Sequence, residues 1–260
     1  VAPLLLATTY WNKMTNETKQ KVREFYDEIG WQQEHDGNYQ NARYEDLRPV
    51  SREYIHKTRL RVMNGLIPAG RFILDAGSGP VQYEEYKTYS AGYEKRICLD
   101  ISIQALREAR TRIGDHGFFV VGDLANLPFK KDTFDGAVSM HAIHHLALPE
   151  HPKAYAEICR VLAPGRTAAI VNGWSDPLLS RMAEPMIGLV RKFSGRSAKK
   201  KKEWLSEDAP AGTFVEKMTP EWMKREIGSK MTIELKPWRG LSTRILRNFV
   251  RPFGGRAFLK

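Results

Sequence analysis

The sequence predicts an α/β fold: a doubly wound, mostly parallel sheet with N-terminal helices and a helical lid inserted after the fifth strand. Two observations predict it. Short apolar runs of strand type alternate with helical segments through the middle of the chain, as in sheets covered by helices on both faces. The first run also ends in an acid and a glycine turn, which is typical of ligand-binding sheets of this class. The predicted strands are Phe72–Asp75, Arg96–Asp100, Phe118–Val121, Gly136–Met140 and Thr167–Asn172, and the helices between them are Val81–Ser90, Ile103–Arg112 and Pro152–Val161.

The stretch Arg71–Pro80, RFILDAGSGP, is the one around which the rest of the chain is organised. Its apolar run is closed by Asp75, and Gly77 and Gly79 allow a sharp turn and a close approach to a ligand. The spacer and Lys of a phosphate-binding loop are missing, so these glycines do not indicate a phosphate site.

Polar residues follow several of the other predicted strands. Asp100, Asp123 and Met140–His141 each lie at or just after a strand end. Parallel crossovers are right-handed, so these carboxyl ends meet at one edge of the sheet. Ligands bind at that edge in open α/β sheets, and we expect a crevice there.

Four motifs carry a resemblance to a known family: LDAGSGP, LDIS, GDLANLPF and FDGAVSMHAIHHL, in order between about Leu66 and Val171. Together they resemble the class I S-adenosylmethionine-dependent methyltransferases, of the small-molecule type that includes quinone methyltransferases. The resemblance implies S-adenosylmethionine as cofactor and S-adenosylhomocysteine as product. The chain departs from the family at Val81, where a third glycine is common, and the loop is therefore expected slightly further from the methionine end.

The resemblance also implies cofactor-binding residues. Asp100 would accept hydrogen bonds from both ribose hydroxyls, and Asp123 from the adenine amino group while the Leu124 N–H donates to the ring. Asp75 would orient the glycine loop or the ligand's ammonium group. For all three acids the alternative is a role in stabilising the local turn. The remaining predicted cofactor contacts are Tyr26, Ala76, Gly77, Ser78, Gly79, Ile101, Met140 and His141.

Histidines follow the fourth strand at positions 141, 144 and 145. His144 or His145 is the predicted catalytic residue, either as a base or as a group that orients the acceptor, because histidine titrates near neutral pH. A packing role for one of them is an alternative. The spacing H-x-x-H-H could also hold a metal, but no acid or Cys nearby completes a ligand set, and no metal is predicted.

The predicted organisation is a single methyltransferase domain in four parts. Residues 1–65 form an N-terminal helical cap, 66–174 the cofactor-binding core, 175–228 a helical lid and 229–260 the last strand and a basic tail. In the cap, Thr15 begins a helix that ends at Gly30 and presents Tyr26 to the cofactor or to the core, and Ser51 caps a second helix to about Leu66. Further along, the pattern predicts a helix over Trp174–Phe193, a helix start at Thr219 and a sixth strand over Met231–Trp238.

Charge is distributed unevenly along the 260 residues. The formal net charge of +11 lies in the last 70 residues, which hold 18 Lys and Arg against 7 Asp and Glu. Such a segment favours peripheral contact with an anionic membrane or, less strongly, nucleic acid, the alternative being a solvated face. Cys98 and Cys159 are expected to be buried thiols without disulfides, consistent with a cytoplasmic protein.

The sequence therefore predicts a methyltransferase that acts on O or C of a small or lipid-like acceptor. Two alternatives stay open. A tRNA or rRNA methyltransferase would use the basic C-terminal region, although the tetrad of amino-methylating enzymes is absent after the fourth strand. A binder of S-adenosylmethionine without catalysis would keep the same motifs.

Overall fold

A five-stranded parallel sheet forms the centre of the part of the chain that the computed structural model describes, residues 16–31, 39, 48–173, 185, 214–239 and 246. The strand order is β3-β2-β1-β4-β5, and every neighbouring pair is parallel. All five predicted strands and the fold class are confirmed. The strands are β1 Gly70–Ala76, β2 Tyr93–Asp100, β3 Gly117–Val121, β4 Phe134–Met140 and β5 Leu162–Val171.

Helices cover the sheet and close the crevice edge. Residues 16–25 are α-helical (α1) and continue as a π-helical turn over Tyr26–Gly30. The other α-helices in the described ranges are α2 Pro49–Leu60, α3 Glu84–Thr88, α4 Ile103–Ile113, α5 His151–Val161 and α6 Pro220–Trp222. A 3-10 turn over Arg61–Gly65 extends α2, and a π-helical turn over Met223–Ile227 extends α6. None of the helices in the described ranges is long and apolar enough to cross a membrane.

The two faces of the sheet are packed by different parts of the chain, as the alternation of side chains along β1 requires. Leu74 belongs to a core cluster with α5 and the turn after α6. Ile73, its neighbour on the opposite face, belongs to a second cluster with α4 and the turn after α2. Both side chains are fully buried. The sheet is therefore the middle layer of three.

Two helix boundaries differ from the prediction. The third helix begins at Glu84 rather than Val81, because Val81 has φ +51°, a left-handed conformation that a β-branched residue rarely adopts. The second helix begins at Pro49, whose fixed φ suits the first helical position, so the prediction of Ser51 as its cap is wrong. The cap at Thr219 is confirmed, since its hydroxyl accepts from the Trp222 N–H at 3.1 Å.

The predicted sixth strand over Met231–Trp238 is wrong, because this segment pairs with no strand in the described structure. The alternation that suggested it is real: Met231, Ile233 and Leu235 pack against the core cluster of α5, and the residues between them are exposed. The segment uses a strand's periodicity to cover a core without extending the sheet.

Both cysteines are free thiols. Cys98 is fully buried in β2, as predicted, but Cys159 is exposed on α5, and the prediction for it is wrong. The predicted helix over Trp174–Phe193, the cap at Thr15 and most of the lid and basic tail lie outside the described residues. The four-part division of the domain stays a prediction.

A buried ion pair joins β1 to β2 directly beneath the glycine turn. The Arg96 guanidinium donates to the Asp75 carboxylate through Nε at 3.0 Å and through Nη2, and also to the Tyr86 carbonyl. The two side chains are only 2% and 3% exposed. Breaking such a pair leaves a desolvated charge without compensation, which costs far more than breaking an exposed pair.

We therefore expect Arg96→Met to lower the free energy of unfolding by about 3–5 kcal/mol, measured by urea denaturation. Arg71→Met is the matched control, because the Arg71 side chain is 72% exposed and lies 3.9 Å from Glu94. That control should lose less than about 1 kcal/mol. Equal losses in the two variants would contradict the stabilising role of the buried pair.

Candidate active site

A crevice of about 520 Å³ opens at the carboxyl edge of the sheet, which is within the usual size of small-molecule sites. The loops after β1 and β2 line it, together with Gly122–Leu124 after β3 and the turn after β4. Because the strand order reverses at β1, the crevice lies at the switch point of the sheet, where ligands bind in this class of fold. α1 and the segment 215–217 close its rim.

The loop after β1 needs glycine at two positions. Gly77 and Gly79 have φ +75° and +54°, and a Cβ on Gly77 would lie 2.3 Å from the Ala142 Cβ. The Gly77 N–H donates to the Leu99 carbonyl at 2.7 Å, which ties the loop to the end of β2. The glycines therefore let the loop turn within a packed site.

Asp100 is the last residue of β2 and lines the crevice. Both oxygens of its carboxylate accept a backbone hydrogen bond. Oδ2 accepts from the Gly79 N–H and Oδ1 from the Ser102 N–H, each at 2.9 Å. Each oxygen keeps a further lone pair for a ligand. Burial raises the pKa of Asp100 to about 6, although the two backbone N–H groups oppose that shift.

Asp123 lies at the rim in contact with the N-terminal helix. Its Oδ1 accepts from the Ala125 N–H at 2.9 Å, and its Oδ2 accepts from Lys19 Nζ at 2.7 Å. The same ammonium group also bonds Glu150. Lys19 therefore attaches α1 to the loop that carries Asp123 and to the loop that carries Glu150.

His145 has a defined tautomer. Its Nδ1 lies 2.7 Å from the Phe214 carbonyl oxygen, which can only accept, so Nδ1 carries the proton. Nε2 is then the acceptor of the Tyr26 hydroxyl at 2.8 Å. Tyr26 itself stacks on Trp31, with ring centroids 4.8 Å apart. The pair forms a short chain of hydrogen bonds at the wall of the crevice.

His144 has the opposite tautomer. Its Nδ1 accepts a long hydrogen bond, 3.5 Å, from the Gly173 N–H, so the proton is on Nε2. His141 follows β4 with φ +57°, and its ring packs 4.8 Å from Trp238. Burial lowers the pKa of His141 to about 3 and of His144 to about 2, and that of His145 is lowered too. All three imidazoles are neutral at pH 7.

Most of the predicted site residues come together in this crevice. Those that line it are Tyr26, Gly77, Ser78, Gly79, Asp100, Ile101, Asp123, Leu124, Met140, His141, His144 and His145. Ala76 and Asp75 do not line it: Ala76 is buried in the core, and the Asp75 carboxylate is bonded to Arg96. Asp75 acts below the glycine loop in this structure, by joining β1 to β2. No group of His, Cys, Asp and Glu in the described ranges could hold a metal ion.

Sequence reasoning missed several lining residues. Trp31 and Gln82 line the crevice with buried polar atoms, Nε1 and Oε1, that have no hydrogen-bond partner. Unpartnered buried polar atoms are costly, so a donor and an acceptor of this kind fit a polar ligand in the crevice. Lys19, Lys217 and Arg239 also line it. These three cations come from segments distant in sequence, and no motif indicated that they would meet in the crevice.

A family model described as a methyltransferase domain matches residues 74–170, the stretch from β1 to β5 that builds the crevice. Residues 74–170 form a methyltransferase domain of the class I, S-adenosylmethionine-dependent type. The resemblance stated from the motifs is thereby confirmed, and S-adenosylmethionine is the cofactor of this family.

Curated relatives of this methyltransferase domain act on different acceptors. A tRNA (carboxymethyluridine(34)-5-O)-methyltransferase of Arabidopsis thaliana is 29% identical over 146 residues, which are 55% of this chain and 32% of that protein. A ubiquinone/menaquinone biosynthesis C-methyltransferase of Roseobacter denitrificans is 32% identical over 133 residues, 48% of this chain and 52% of that protein. The chain thus spans between a third and about half of the length of these relatives.

Among solved structures, a phosphoethanolamine N-methyltransferase 1 of Haemonchus contortus, in complex with phosphoethanolamine and S-adenosylhomocysteine, has the same fold. Its TM-score is 0.50 at 12% identity, over 63% of this chain and 34% of that one. The residues of the crevice fit the family's cofactor: a carboxylate with free lone pairs ends β2, glycines open the loop after β1, and Trp31 and Gln82, which line the crevice, each carry a buried polar atom without a partner.

Asp100 generates a prediction for cofactor binding. Asp100→Ala should weaken binding of S-adenosylhomocysteine by about 1–3 kcal/mol, because ribose hydroxyls would lose their acceptor. In the parent protein, protonation of Asp100 below pH 6 removes an acceptor, so affinity should fall about tenfold from pH 7 to pH 5. Isothermal titration calorimetry measures both effects. Asp100→Asn is the control that should bind weakly without this pH dependence, and an unchanged affinity in Asp100→Ala would rule out the ribose assignment.

The neutral histidines generate a prediction for stability. Unfolded His144 takes up a proton near pH 6.5, whereas the folded residue does so only near pH 2, so the unfolded state binds more protons as pH falls. The free energy of unfolding should therefore decrease below pH 6.5, by up to about 1.4 kcal/mol per pH unit for one histidine. Urea denaturation between pH 7 and pH 4 should show a smaller slope for His144→Gln than for the parent protein. Equal slopes in parent and His144→Gln would contradict the assignment.

Proposed function

We propose that this protein transfers the methyl group of S-adenosylmethionine to an oxygen or carbon atom of a small or lipid-like acceptor. The observation that carries the proposal is the convergence, in one crevice, of the glycine loop, the two acids after β2 and β3, and the Tyr26–His145 hydrogen bond. Aromatic and apolar side chains supply the rest of the lining that a flat or lipid-like acceptor needs, including Phe25, Tyr83 and Tyr86.

The residues on the β2 and β3 side of the crevice would hold the cofactor. The free lone pairs of Asp100 accept from the two ribose hydroxyls, and Asp123 with the Leu124 N–H receives the adenine edge. The loop from Gly77 to Gly79 admits the methionine part without a Cβ in the way. When bound, S-adenosylmethionine supplies an electrophilic methyl group on its sulfonium. The protein's part is to align the acceptor with it and to exclude water.

Tyr26 and His145 would remove the acceptor's proton. The phenolic oxygen of Tyr26 takes that proton while its own passes to Nε2 of His145, which already accepts the hydrogen bond at 2.8 Å. Burial disfavours a charged imidazole, which on its own would make His145 a weak base. The proton on His145 replaces the positive charge that the methyl donor loses, so the net charge of the crevice does not change. This balance makes the proton transfer compatible with a buried site.

His144 would orient the acceptor rather than act as the base. Its Nδ1 is engaged by the Gly173 N–H, and its Nε2 carries a proton. A neutral imidazole in this state donates a hydrogen bond to an acceptor oxygen and removes no proton. The two histidines that the sequence left as alternatives thus receive different proposed roles.

An RNA acceptor is the second candidate, and the similarity to the Arabidopsis tRNA methyltransferase favours it. The basic residues that would contact RNA or an anionic membrane, Lys199–Lys202 and the Arg and Lys residues after position 240, lie outside the described residues. Binding to tRNA that weakens steeply with salt, without binding to vesicles of phosphatidylserine, would favour this candidate. Methyl incorporation into phenols or quinones but not into tRNA would exclude it.

The catalytic assignment is tested with labelled S-adenosylmethionine and a panel of phenols, quinones and deproteinised cell extract. We expect Tyr26→Phe and His145→Gln to lower methyl incorporation by about 10²-fold, the usual loss for a missing general base. Their affinity for S-adenosylhomocysteine should change less than about threefold, since Asp100 and the glycine loop are intact.

Tyr155→Phe is the control, because it removes a buried hydroxyl that bonds Asn172 and does not line the crevice. It should retain the parent's incorporation. Equal loss of incorporation and of cofactor affinity in Tyr26→Phe would assign that residue to cofactor binding. Cofactor binding without methyl incorporation in the parent would instead support a binder without catalysis.

A further inference from the structure

Two polar atoms in the wall beside the glycine loop have no hydrogen-bond partner. Trp31 Nε1 is a donor and Gln82 Oε1 an acceptor, and both residues line the crevice. The Trp31 ring lies against the loop, since a Cβ on Gly79 would be 3.1 Å from it. Gln82 lies further along the same loop, before α3 begins at Glu84. A buried polar atom without a partner is costly, so this donor and this acceptor indicate a ligand group that bonds both.

The glycine loop uses its own backbone N–H groups within the protein. Those of Gly77 and Ser78 both donate to the Leu99 carbonyl, at 2.7 and 3.1 Å. That of Gly79 donates to the Asp100 carboxylate at 2.9 Å. The next residue is a proline, which has no N–H, and the one after it donates to the Ser78 carbonyl at 3.4 Å. A carboxylate placed against this loop therefore needs a donor from a side chain.

The segments that carry Trp31 and Gln82 are joined through α4. The Trp31 ring stacks on Tyr26, and the Tyr39 ring meets it edge-on with centroids 5.9 Å apart. The Tyr39 hydroxyl accepts from Arg112 Nη2 at 3.1 Å, and Arg112 Nη1 donates to the Gln82 carbonyl at 3.4 Å. The unpartnered donor and acceptor therefore belong to one connected wall, although they are distant in sequence.

The ligand group that fits this pair has a donor, an acceptor and no net charge. Trp31 and Gln82 are both uncharged. The acid beneath the loop, Asp75, is compensated by Arg96, so its charge is not available to a lone cation. An α-amino acid meets these conditions, because its ammonium group donates, its carboxylate accepts and the two charges cancel.

The order of the strands favours the amino-acid end of the cofactor as this group. In the proposed placement, the adenine lies at Asp123 after β3 and the ribose at Asp100, which ends β2. The next strand of the sheet is β1, and Trp31 and Gln82 line the crevice beside the loop that follows it. A ligand that occupies the first two places thus continues toward the unpartnered donor and acceptor.

We propose that Trp31 and Gln82 bind the amino-acid end of the cofactor, a role that rests on the proposed methyltransferase function. Trp31 Nε1 would donate to the carboxylate. Gln82 Oε1 would accept from the ammonium group, the partner that the sequence assigned to Asp75. Both bonds are charge-assisted and therefore stronger than bonds between neutral groups. Water does not reach either atom in this structure, so both side chains turn slightly toward the ligand, as side chains at binding surfaces commonly do.

Two ligands that differ at this end test the role in the parent protein. S-adenosylhomocysteine carries the amino-acid group, and 5′-methylthioadenosine keeps the adenine, the ribose and the sulfur without it. Isothermal titration calorimetry gives both affinities. We expect S-adenosylhomocysteine to bind about 10²-fold more tightly, because two hydrogen bonds to charged groups are lost with the amino acid.

A third ligand, decarboxylated S-adenosylhomocysteine, keeps the amine and assigns each residue to one group. Trp31→Phe should bind S-adenosylhomocysteine about tenfold more weakly, with the affinity for the decarboxylated ligand changed less than about threefold. Gln82→Leu should weaken binding of both of these ligands about tenfold, because both carry the amine. An unchanged affinity for 5′-methylthioadenosine in each variant shows that the crevice is intact.

Trp222→Phe and Gln20→Leu are the matched controls, since neither residue lines the crevice. Trp222 packs against His151, and the exposed Gln20 side chain bonds Glu24. Both control variants should keep the parent's affinity for all three ligands.

Equal affinities of the parent for S-adenosylhomocysteine and 5′-methylthioadenosine would overturn the proposal. So would a preference that Trp31→Phe and Gln82→Leu leave unchanged, whether through no loss or through an equal loss for all three ligands, which would assign both residues to packing of the wall. Failure of the parent to bind any of the three ligands would be a distinct result, because it removes the proposed function and this role with it.

Discussion

The buried ion pair between Asp75 and Arg96 is the interaction on which the site depends. It joins the carboxyl end of β1 to the middle of β2, in a register that places Asp75 beside Cys98. From there the loop after β1 is bonded to the carbonyl of Leu99, and its Gly79 N–H reaches the carboxylate of Asp100. The glycine loop and the acid after β2 are therefore positioned as one unit by two paired strands. A charge pair can be buried there because further hydrogen bonds satisfy it.

The reversal of strand order at β1 gives the crevice two chemically different ends. One end has carboxylates and backbone N–H groups suited to a nucleoside, and the other has neutral imidazoles, a tyrosine hydroxyl and cations. Two of the three non-glycine residues with positive φ in the described ranges, Val81 and His141, lie on the loops after β1 and β4 that border the crevice. The positive φ of Val81 also explains why glycine is common at this place in the family.

The sequence predicted the sheet well because its signals are local. Strand-type runs, the glycine turn and the acids at strand ends each depend on a few neighbouring residues, and the parallel topology then brings them to one edge. Contacts between distant segments gave no such signal. The ion pair between Lys19 and Asp123 and the position of Arg239 beside the crevice depend on how distant segments pack against its rim. The tautomers of His144 and His145 depend on the Gly173 N–H and the Phe214 carbonyl, which lie far along the chain.

The wrong prediction of a sixth strand and the internal pairing of Asp75 have the same origin. Alternating apolar residues predicted a strand over Met231–Trp238, but periodicity reports which side chains are buried and not whether a partner strand is available. Asp75 has the residue type and position of a ligand contact, yet an arginine in β2 uses its carboxylate internally. Arg96 read as the start of an apolar strand, and nothing local distinguishes a buried, paired arginine from an exposed one.

The two cysteines provide an internal reporter of sheet opening. Cys98 lies at the centre of β2, where burial raises the pKa of its thiol to about 12, so no thiolate is present there to react with an alkylating reagent at neutral pH. Cys159 is exposed on α5 and serves as the accessible reference. The alkylation rate of Cys98 relative to that of Cys159 therefore reports how often the sheet opens locally at β2. Both thiols are in the same molecule, and no added label is needed.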